Sequence, residues 1–445
     1  MKTAFSLCTA VGLAAMGTAL PARAAAVDSI LQPTSGKVWY VCQARGKNSN
    51  PATKDEPLKN IDKALKKASA GDTVAVCQGS YSGTFGIGTL EINNPVKLYG
   101  SFAQDFTSRD VTETPTLFQP DNASAAKSRK PLVSFKREVD GAVFDGFVLD
   151  MGERNSYHRT KGKPDGLDSG MLLLPPAKAK GDKPTVAKPC LQIPSASKEG
   201  DLRISNNVFA NCAGGGIVAG VRGGKLTVVN NVFVANRMRA IEVYGTCRSR
   251  GGPKSHTKCA EVEIAHNTIL FTWSRLKDFL DMGYGVRVMT KAAYDIHHNV
   301  IGTAIMAGVD HTRFNKDDWI KLDNNIFFVN KKADLEYSPE SNTKLQLRAE
   351  QFVDLELASA AGNKTRVPKS FPVHEAYLAG FLAACYTEQA DFDPDSPANQ
   401  LRAAVGLNKQ GKLASRVTMF ANRYPVDDAL QLFGAIPGAG AQAAE

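Results

Sequence analysis

No two of the eight cysteines stand in a Cys-X-X-Cys pair, and no pair of such motifs with zinc-ribbon spacing occurs. A redox dithiol and a zinc ribbon are therefore excluded. Helical periodicity is sparse, which argues against a helical-repeat architecture. The one long apolar run, Ala4–Leu20, is too short and too poor in large residues to span a membrane. The formal charge of +10 is accompanied by no recognisable nucleic-acid-binding motif, so the charge alone does not point to nucleic acid.

What the chain does have begins with a leader. Met1-Lys2 precedes the apolar run, and Pro21-Ala22-Arg23-Ala24-Ala25-Ala26 offers small-residue cleavage sites. This reads as a secretory signal over 1–26, cut after Ala24 or Ala26. Cys8 stands outside a small-residue cleavage context and does not read as a lipid anchor. Losing Lys2 and Arg23 lowers the charge from +10 to +8. An exported protein of that charge suits an anionic partner such as a uronate-containing polysaccharide, with solubility as the plain alternative. The expected location is secreted or periplasmic and the expected state a monomer.

The strongest internal signal is a series of asparagines: Asn207, Asn231, Asn267, Asn299 and Asn325, in ISNNVFANC, VVNNVFVAN, IAHNTILFT, IHHNVIGTA and LDNNIFFVN. Their spacings of 24, 36, 32 and 26 residues mark one supersecondary unit repeated with insertions. Apolar residues alternate with polar ones around each. Leu202/Ile204, Leu226/Val228, Val262/Ile264, Tyr294/Ile296 and Ile320/Leu322 precede the asparagines, and Phe209, Phe233, Ile269, Ile301 and Phe327 follow them. Arg203, Thr227, Glu263, Asp295 and Lys321 should face out. Period 2 with Gly-rich corners argues for coils of parallel strands that stack into a solenoid. Each asparagine should turn a corner, bonding backbone and the asparagine of the next coil. His297 and His298 stand at one such corner and His266 at the neighbouring one; these read as corner hydrogen bonding in preference to metal ligation.

The N-terminal segment carries Val38-Trp39-Tyr40-Val41, Asn48-Ser49-Asn50-Pro51, Pro57-Leu58-Lys59-Asn60-Ile61 and Ala70-Gly71-Asp72-Thr73-Val74 up to Gly79-Ser80-Tyr81. Tyr99-Gly100-Ser101-Phe102 and Phe433-Gly434-Ala435-Ile436-Pro437 follow farther on. With these phrases the chain resembles, over about 37–438, the right-handed parallel β-helix superfamily, the pectate-lyase-like proteins. The resemblance implies an all-β solenoid with an N-terminal capping helix, and Leu58, Ile61, Ala64, Leu65 and Ala68 supply one apolar helix face. It says little about chemistry, because the fold hosts lyases, hydrolases, epimerases and non-enzymes.

The expected organisation is a signal peptide at 1–26, a β-helix with its cap at 27–347, and a helical or irregular cap and tail at 348–445. Within the β-helix, 82–200 should form irregular early coils with polar excursions at 152–169 and 175–189. Helices are expected at Leu355–Ala361, His374–Cys385 and Ala398–Val405, packed across the C-terminal end, with a disordered Ala/Gly tail after Pro437. Export permits disulfides. The neighbourly pairs are Cys42 with Cys77, Cys190 with Cys212, and Cys247 with Cys259, leaving Cys385 outside them.

Aligning the repeats brings a second strand into register, at Gly216–Ala219, Ala240–Val243, Gly285–Val288, Gly308–His311 and Asp334–Tyr337. Its outward column reads Val218, Glu242, Arg287, Asp310, Glu336, with rungs about 4.8 Å apart. Gly220, Tyr244, Met289, Thr312 and Ser338 form the next column, and Lys291 and Arg313 lie just beyond. Such a face reads either as an ion-pair ladder finishing a sheet or as part of a binding groove.

In the second reading, uronate chemistry needs a cation for the carboxylate, a base for the C5 proton and an acid for the leaving oxygen. Arg287 is the clamp; Lys291, His311 and Tyr244 are base and acid candidates. Glu242 and Arg313 would bind substrate, and Asp310 with Glu336 could share a calcium ion. Tyr157 and His158, in the polar excursion, could wall the groove. Asp317-Asp318-Trp319 pairs acids with an aromatic able to stack on a sugar, although Asp318 suits a solvent turn as well.

Motif departures narrow the chemistry. The polygalacturonase carboxylate motifs and the paired arginines of the main pectate lyases are absent. Val309-Asp310-His311-Thr312-Arg313 resembles the Asp-Pro-His-acid motif of alginate epimerases but lacks its proline and second acid. The expected activity is a polysaccharide lyase or C5-epimerase on acidic polysaccharide, against a non-catalytic cell-envelope or matrix polysaccharide-binding protein. Expressed with its leader and recovered from the exported fraction, the protein should begin at Ala25 or Val27, which N-terminal sequencing or intact mass would report.

Overall fold

A computed structural model describes residues 27–33, 35–82, 89–119, 131–136, 138–152, 157–158, 188–194, 200–246, 260–273, 282–289, 292–312, 319–412, 419–420 and 423–443. The leader, Cys247, Cys259, Lys291, Arg313, Asp317 and Asp318, and most of the two polar excursions, lie outside these residues.

Each coil contributes one strand to each of three sheets. Among the described residues each of these three sheets has nine strands. The first runs from Val38–Val41 to Trp319–Asp323, the second from Gly79–Tyr81 to Lys364–Thr365, and the third from Leu90–Ile92 to Leu345–Leu347. Neighbouring strands pair in parallel, and the final strand of the third sheet alone turns antiparallel, Leu345–Leu347 against Ala333–Tyr337. The protein is a right-handed parallel β-helix, the all-β solenoid expected from its sequence.

The alternation read from sequence decides which residues meet inside. Ile204, Val228, Ile264, Tyr294 and Ile296 of the first sheet are buried against Phe209, Phe233, Ile269, Ile301 and Phe327 of the second. Phe209 and Phe233 stack with centroids 4.8 Å apart, one coil above the other. Helix Ile61–Lys67 closes the N-terminal end, burying Ile61, Ala64 and Leu65. Cys42–Cys77 and Cys190–Cys212 are disulfides, as expected, and Cys385 is a buried thiol.

The asparagines turn the corner between the first and second sheets. Asn207, Asn231, Asn267, Asn299 and Asn325 are fully buried. Each donates its backbone N–H and one Nδ2 hydrogen to the Oδ1 of the next, at 2.9–3.1 Å, and the series ends on Asn363. The second Nδ2 hydrogen goes to a first-sheet carbonyl; for Asn267 this is Val228 at 2.9 Å. Every polar atom of a buried amide is thus used, as burial requires. The residue before each asparagine is left-handed: Asn206, Asn230, His266, His298 and Asn324 have φ between 52° and 58°. Asparagine and histidine are among the residues that tolerate this conformation.

The C-terminal segment departs from expectation in three ways. Residues 355–361 form no helix; a 3-10 turn spans Ala349–Asp354, and Ala358 N–H and Asn324 N–H bond Ile320 O and Ala361 O respectively. The last coil offers unpaired strand edge there, and extended backbone satisfies it. Helices Glu375–Cys385 and Pro397–Ala404 exist, but they pack along the flank of the solenoid rather than across its end. The cause is the outer face of the second sheet, where Val208, Val232, Val234, Leu270, Val300 and Phe328 form an apolar strip that clusters with Tyr377, Leu378, Phe381 and Leu382 and with Ala429 and Leu430 of helix Val426–Leu430. The tail after Pro437 is ordered through Gln442. Gly440 N–H reaches His298 O at 2.8 Å, and Ala441 N–H reaches Thr268 Oγ1 at 2.9 Å. A side chain at Gly440 would collide with Thr268 and Val300, so the tail's small residues are what admit it.

Asn267→Ala would strand two donors of Asn231, each costing about 1–3 kcal/mol when buried. We expect a loss of about 3 kcal/mol, read as a lower denaturant midpoint with an unchanged slope.

Candidate functional site

The third sheet holds the charged column in the register expected. Glu91, Ser134, Gln192, Val218, Glu242, Arg287, Asp310 and Glu336 pair in succession. Alternation turns them away from the core occupied by Ile241, Val243, Val286 and Val309.

Outward here does not mean exposed. Glu242, Asp310 and Glu336 are each at most 1% exposed, and the side chain of Arg287 is 20% exposed. Burying carboxylates requires partners, because their desolvation costs several kcal/mol each. Arg287 supplies them from the centre: its Nε donates to Asp310 Oδ2 at 2.7 Å and its Nη1 to Glu242 Oε2 at 3.4 Å. Arg239 Nη2 donates to Glu242 Oε1 at 3.0 Å, and Lys344 Nζ stands 2.8 Å from Glu336 Oε2. Three acids therefore face three cations. Burial alone would lower the Arg287 pKa, but Asp310 and Glu242 outweigh it and hold the guanidinium charged.

Two tyrosines border the ladder. Tyr284 donates its hydroxyl to Glu336 Oε2 at 3.3 Å, and the Arg287 guanidinium lies 5.3 Å from its ring centroid. Burial, then the charges of Asp310 and Glu336, push its pKa far above the ordinary value. Tyr244, half-buried, is raised by burial and by Glu242 beside it. Both hydroxyls stay protonated near neutral pH and can give a proton or a hydrogen bond, but are poor bases.

The other candidates are placed as follows. His311 is buried and stacks on Tyr337 with centroids 5.4 Å apart. Asp310 and Glu336 are neighbours in register. Asp310 Oδ1 accepts from Thr312 N–H and Oγ1–H and its Oδ2 from Arg287, while Glu336 accepts from Gln346, Lys344 and Tyr284. Calcium takes six to eight oxygens, and these carboxylates could offer theirs only by releasing Arg287 and Lys344. The arrangement does not fit calcium as it stands. Tyr157–His158 pairs with Met419–Phe420 in a separate two-stranded ribbon, away from the column's strand pairings. Lys291 and Arg313 lie outside the described residues.

Sequence reading missed Arg239, Tyr284, Lys344 and Gln346. Arg239 and Tyr284 are themselves in register, three residues before Glu242 and Arg287. Extending the repeat alignment by one turn of the pleat would have found them. Lys344 and Gln346 arrive on the antiparallel return strand, which breaks the repeat and leaves no periodic signal. A separate cleft of about 390 Å³, lined by Lys331, Arg348, Arg366 and Tyr386 among others, lies beside the last coils and helix Pro397–Ala404.

Against this geometry the comparisons are sparse. A family model described as "Protein of unknown function (DUF1565)" matches residues 44–119. No curated protein matches the chain. Among solved structures, a rhamnogalacturonan lyase is similar at 12% identity and a TM-score of 0.36, over 77% of this chain and 92% of that one. Pectate lyase Pel9A is similar at 11% identity and a TM-score of 0.33, over 88% and 92%. A GH136 lacto-N-biosidase from Eubacterium ramulus follows at 11% and 0.30, over 74% and 55%. These likenesses extend to the fold alone.

Arg287→Ala leaves Asp310 buried without its cation and should cost about 2 kcal/mol, less than a fully buried pair because Arg287 is partly exposed. Adding Asp310→Asn should restore most of that loss in chemical denaturation. Additive losses would show that the two side chains are not energetically coupled.

Proposed function

We propose that this protein is an exported carbohydrate-active β-helix that takes an acidic polysaccharide across the outer face of its third sheet. The observation that carries the reading is the run of charged side chains on four successive coils, Glu242, Arg287, Asp310 and Glu336, with Tyr244 and Tyr284 beside it. A linear polymer crossing this face would meet the network through its accessible members, the partly exposed Arg287 and the half-buried Tyr244. The two disulfides support export.

Within that reading the activity is uronate elimination or C5-epimerisation, which begin with the same proton abstraction. Arg287 would exchange Asp310 or Glu242 for the substrate carboxylate. Tyr244, kept protonated by burial and Glu242, would donate to the leaving oxygen. Lys291 remains the candidate base. One observation favours the non-catalytic alternative: Arg287 is already met by two carboxylates, so the ladder is neutral without substrate.

An ultraviolet-absorbance assay on alginate, polygalacturonate and glycosaminoglycans, with and without calcium, separates these outcomes. Elimination should raise absorbance on one polymer, and Tyr244→Phe should slow it about 100-fold, the scale of a lost general acid. A flat trace with C5 inversion by NMR would indicate epimerisation, and a flat trace with retained affinity electrophoresis a binding protein. No affinity for any of these polymers would overturn the proposal.

A further inference from the structure

The corner between the first and second sheets carries a cluster that the third-sheet site does not use. Three of the chain's seven histidines meet there. His266 stands on one coil, and His297 and His298 stand on the next. His297 Nδ1 and His298 Nδ1 share a hydrogen bond at 2.9 Å, which a bound ion would replace, and the His266 and His298 rings stack with centroids 5.0 Å apart. One nitrogen from each ring lies within 4.8 Å of the others, and all three residues are half-buried.

The backbone does not demand this. The left-handed corner position is asparagine at 206, 230 and 324 and histidine only at 266 and 298. His297 occupies a strand position taken by Ala265 and Asp323 on the adjoining coils. The imidazoles are thus added to a corner that asparagine already satisfies. A second observation points to a ligand: His266 Nδ1 is buried and has no hydrogen-bond partner, which leaves a ring nitrogen uncompensated at the corner. A third is the surrounding shell. His297 Nε2 lies 3.7 Å from Glu263 Oε1, the carboxylate that commonly orients a ligating imidazole. The tail also passes beside the cluster, with Gly440 N–H bonded to His298 O.

We propose that His266, His297 and His298 bind one divalent transition-metal ion of the zinc class, leaving a fourth coordination position open. Three imidazoles suit zinc, copper or nickel and not calcium or magnesium. Tetrahedral zinc–nitrogen bonds of about 2.0–2.1 Å place ligand atoms about 3.3 Å apart. The 2.9 Å pair already approximates that edge, and rotation of the half-buried rings would close the remaining separations. A bound ion would cross-link two coils beside the tail, and its open position would take water or an exogenous donor. This site is independent of the third-sheet proposal.

The test uses the chelator-stripped, tag-free full chain, titrated calorimetrically with zinc chloride and, separately, with copper, nickel and calcium salts. We expect one zinc per chain and a raised melting temperature. His266→Asn and His298→Asn place at these corners the residue native at 230 and 324, so the fold should persist while affinity falls at least tenfold. Tighter binding of copper or nickel with the same loss in the variants would support the site and name its ion. Absence of zinc-class binding, unchanged zinc affinity in both variants, or a preference for calcium would overturn it.

Discussion

The asparagine ladder is the constraint on which the rest depends. Each rung ties a buried backbone N–H and a buried amide of one coil to the side chain of the next, and ties that amide back to a first-sheet carbonyl. Because the amide oxygen must meet two donors at once, the coils cannot slip by a residue without stranding several polar groups. Register at this corner sets register in all three sheets. The third-sheet column is a remote consequence: Glu242, Arg287, Asp310 and Glu336 align only because the asparagines many residues earlier in each coil do.

That alignment sets the electrostatics. A column of buried acids would repel itself were Arg287 not placed between Glu242 and Asp310, with Arg239 and Lys344 at the flanks. The network is balanced rather than poised: its carboxylates are occupied and its tyrosines are held in the protonated form. Polymer recognition here would proceed by exchanging one ion-pair partner for another, which favours selectivity for charged over neutral ligands more than raw affinity.

What repeats was legible in the sequence, and what does not repeat was not. Five ladder asparagines, the inward Phe209–Phe327 column, the capping-helix face and the outward column all follow from period and spacing, and the structure has them where expected. Asn363 escaped because its coil lacks the flanking alternation. The register of Glu242 and Asp310 was read correctly, yet their burial was not, since alternation distinguishes faces and says nothing of what lies over them. The flank position of Tyr377 and Phe381 was hidden for a related reason: Val208, Val232 and Val300 read as ordinary strand residues until Phe209 and its counterparts have claimed the interior. The ordered tail reversed a compositional expectation, because small residues that elsewhere signal flexibility are here what lets backbone lie against Thr268 and Val300.

The apolar strip on the second sheet is covered by residues far along the chain from the strands that form it. Tyr424 exchanges two hydrogen bonds with Asn211, and Gln442 two with Asn230, across more than 200 residues. The coils can close from local contacts, whereas Val208 and Val232 are covered only by a segment about 200 residues farther along. Until that segment docks, the solenoid presents a continuous greasy stripe to its surroundings, so the interval between coil closure and flank docking is when this molecule is most exposed to self-association and has most need of a chaperone.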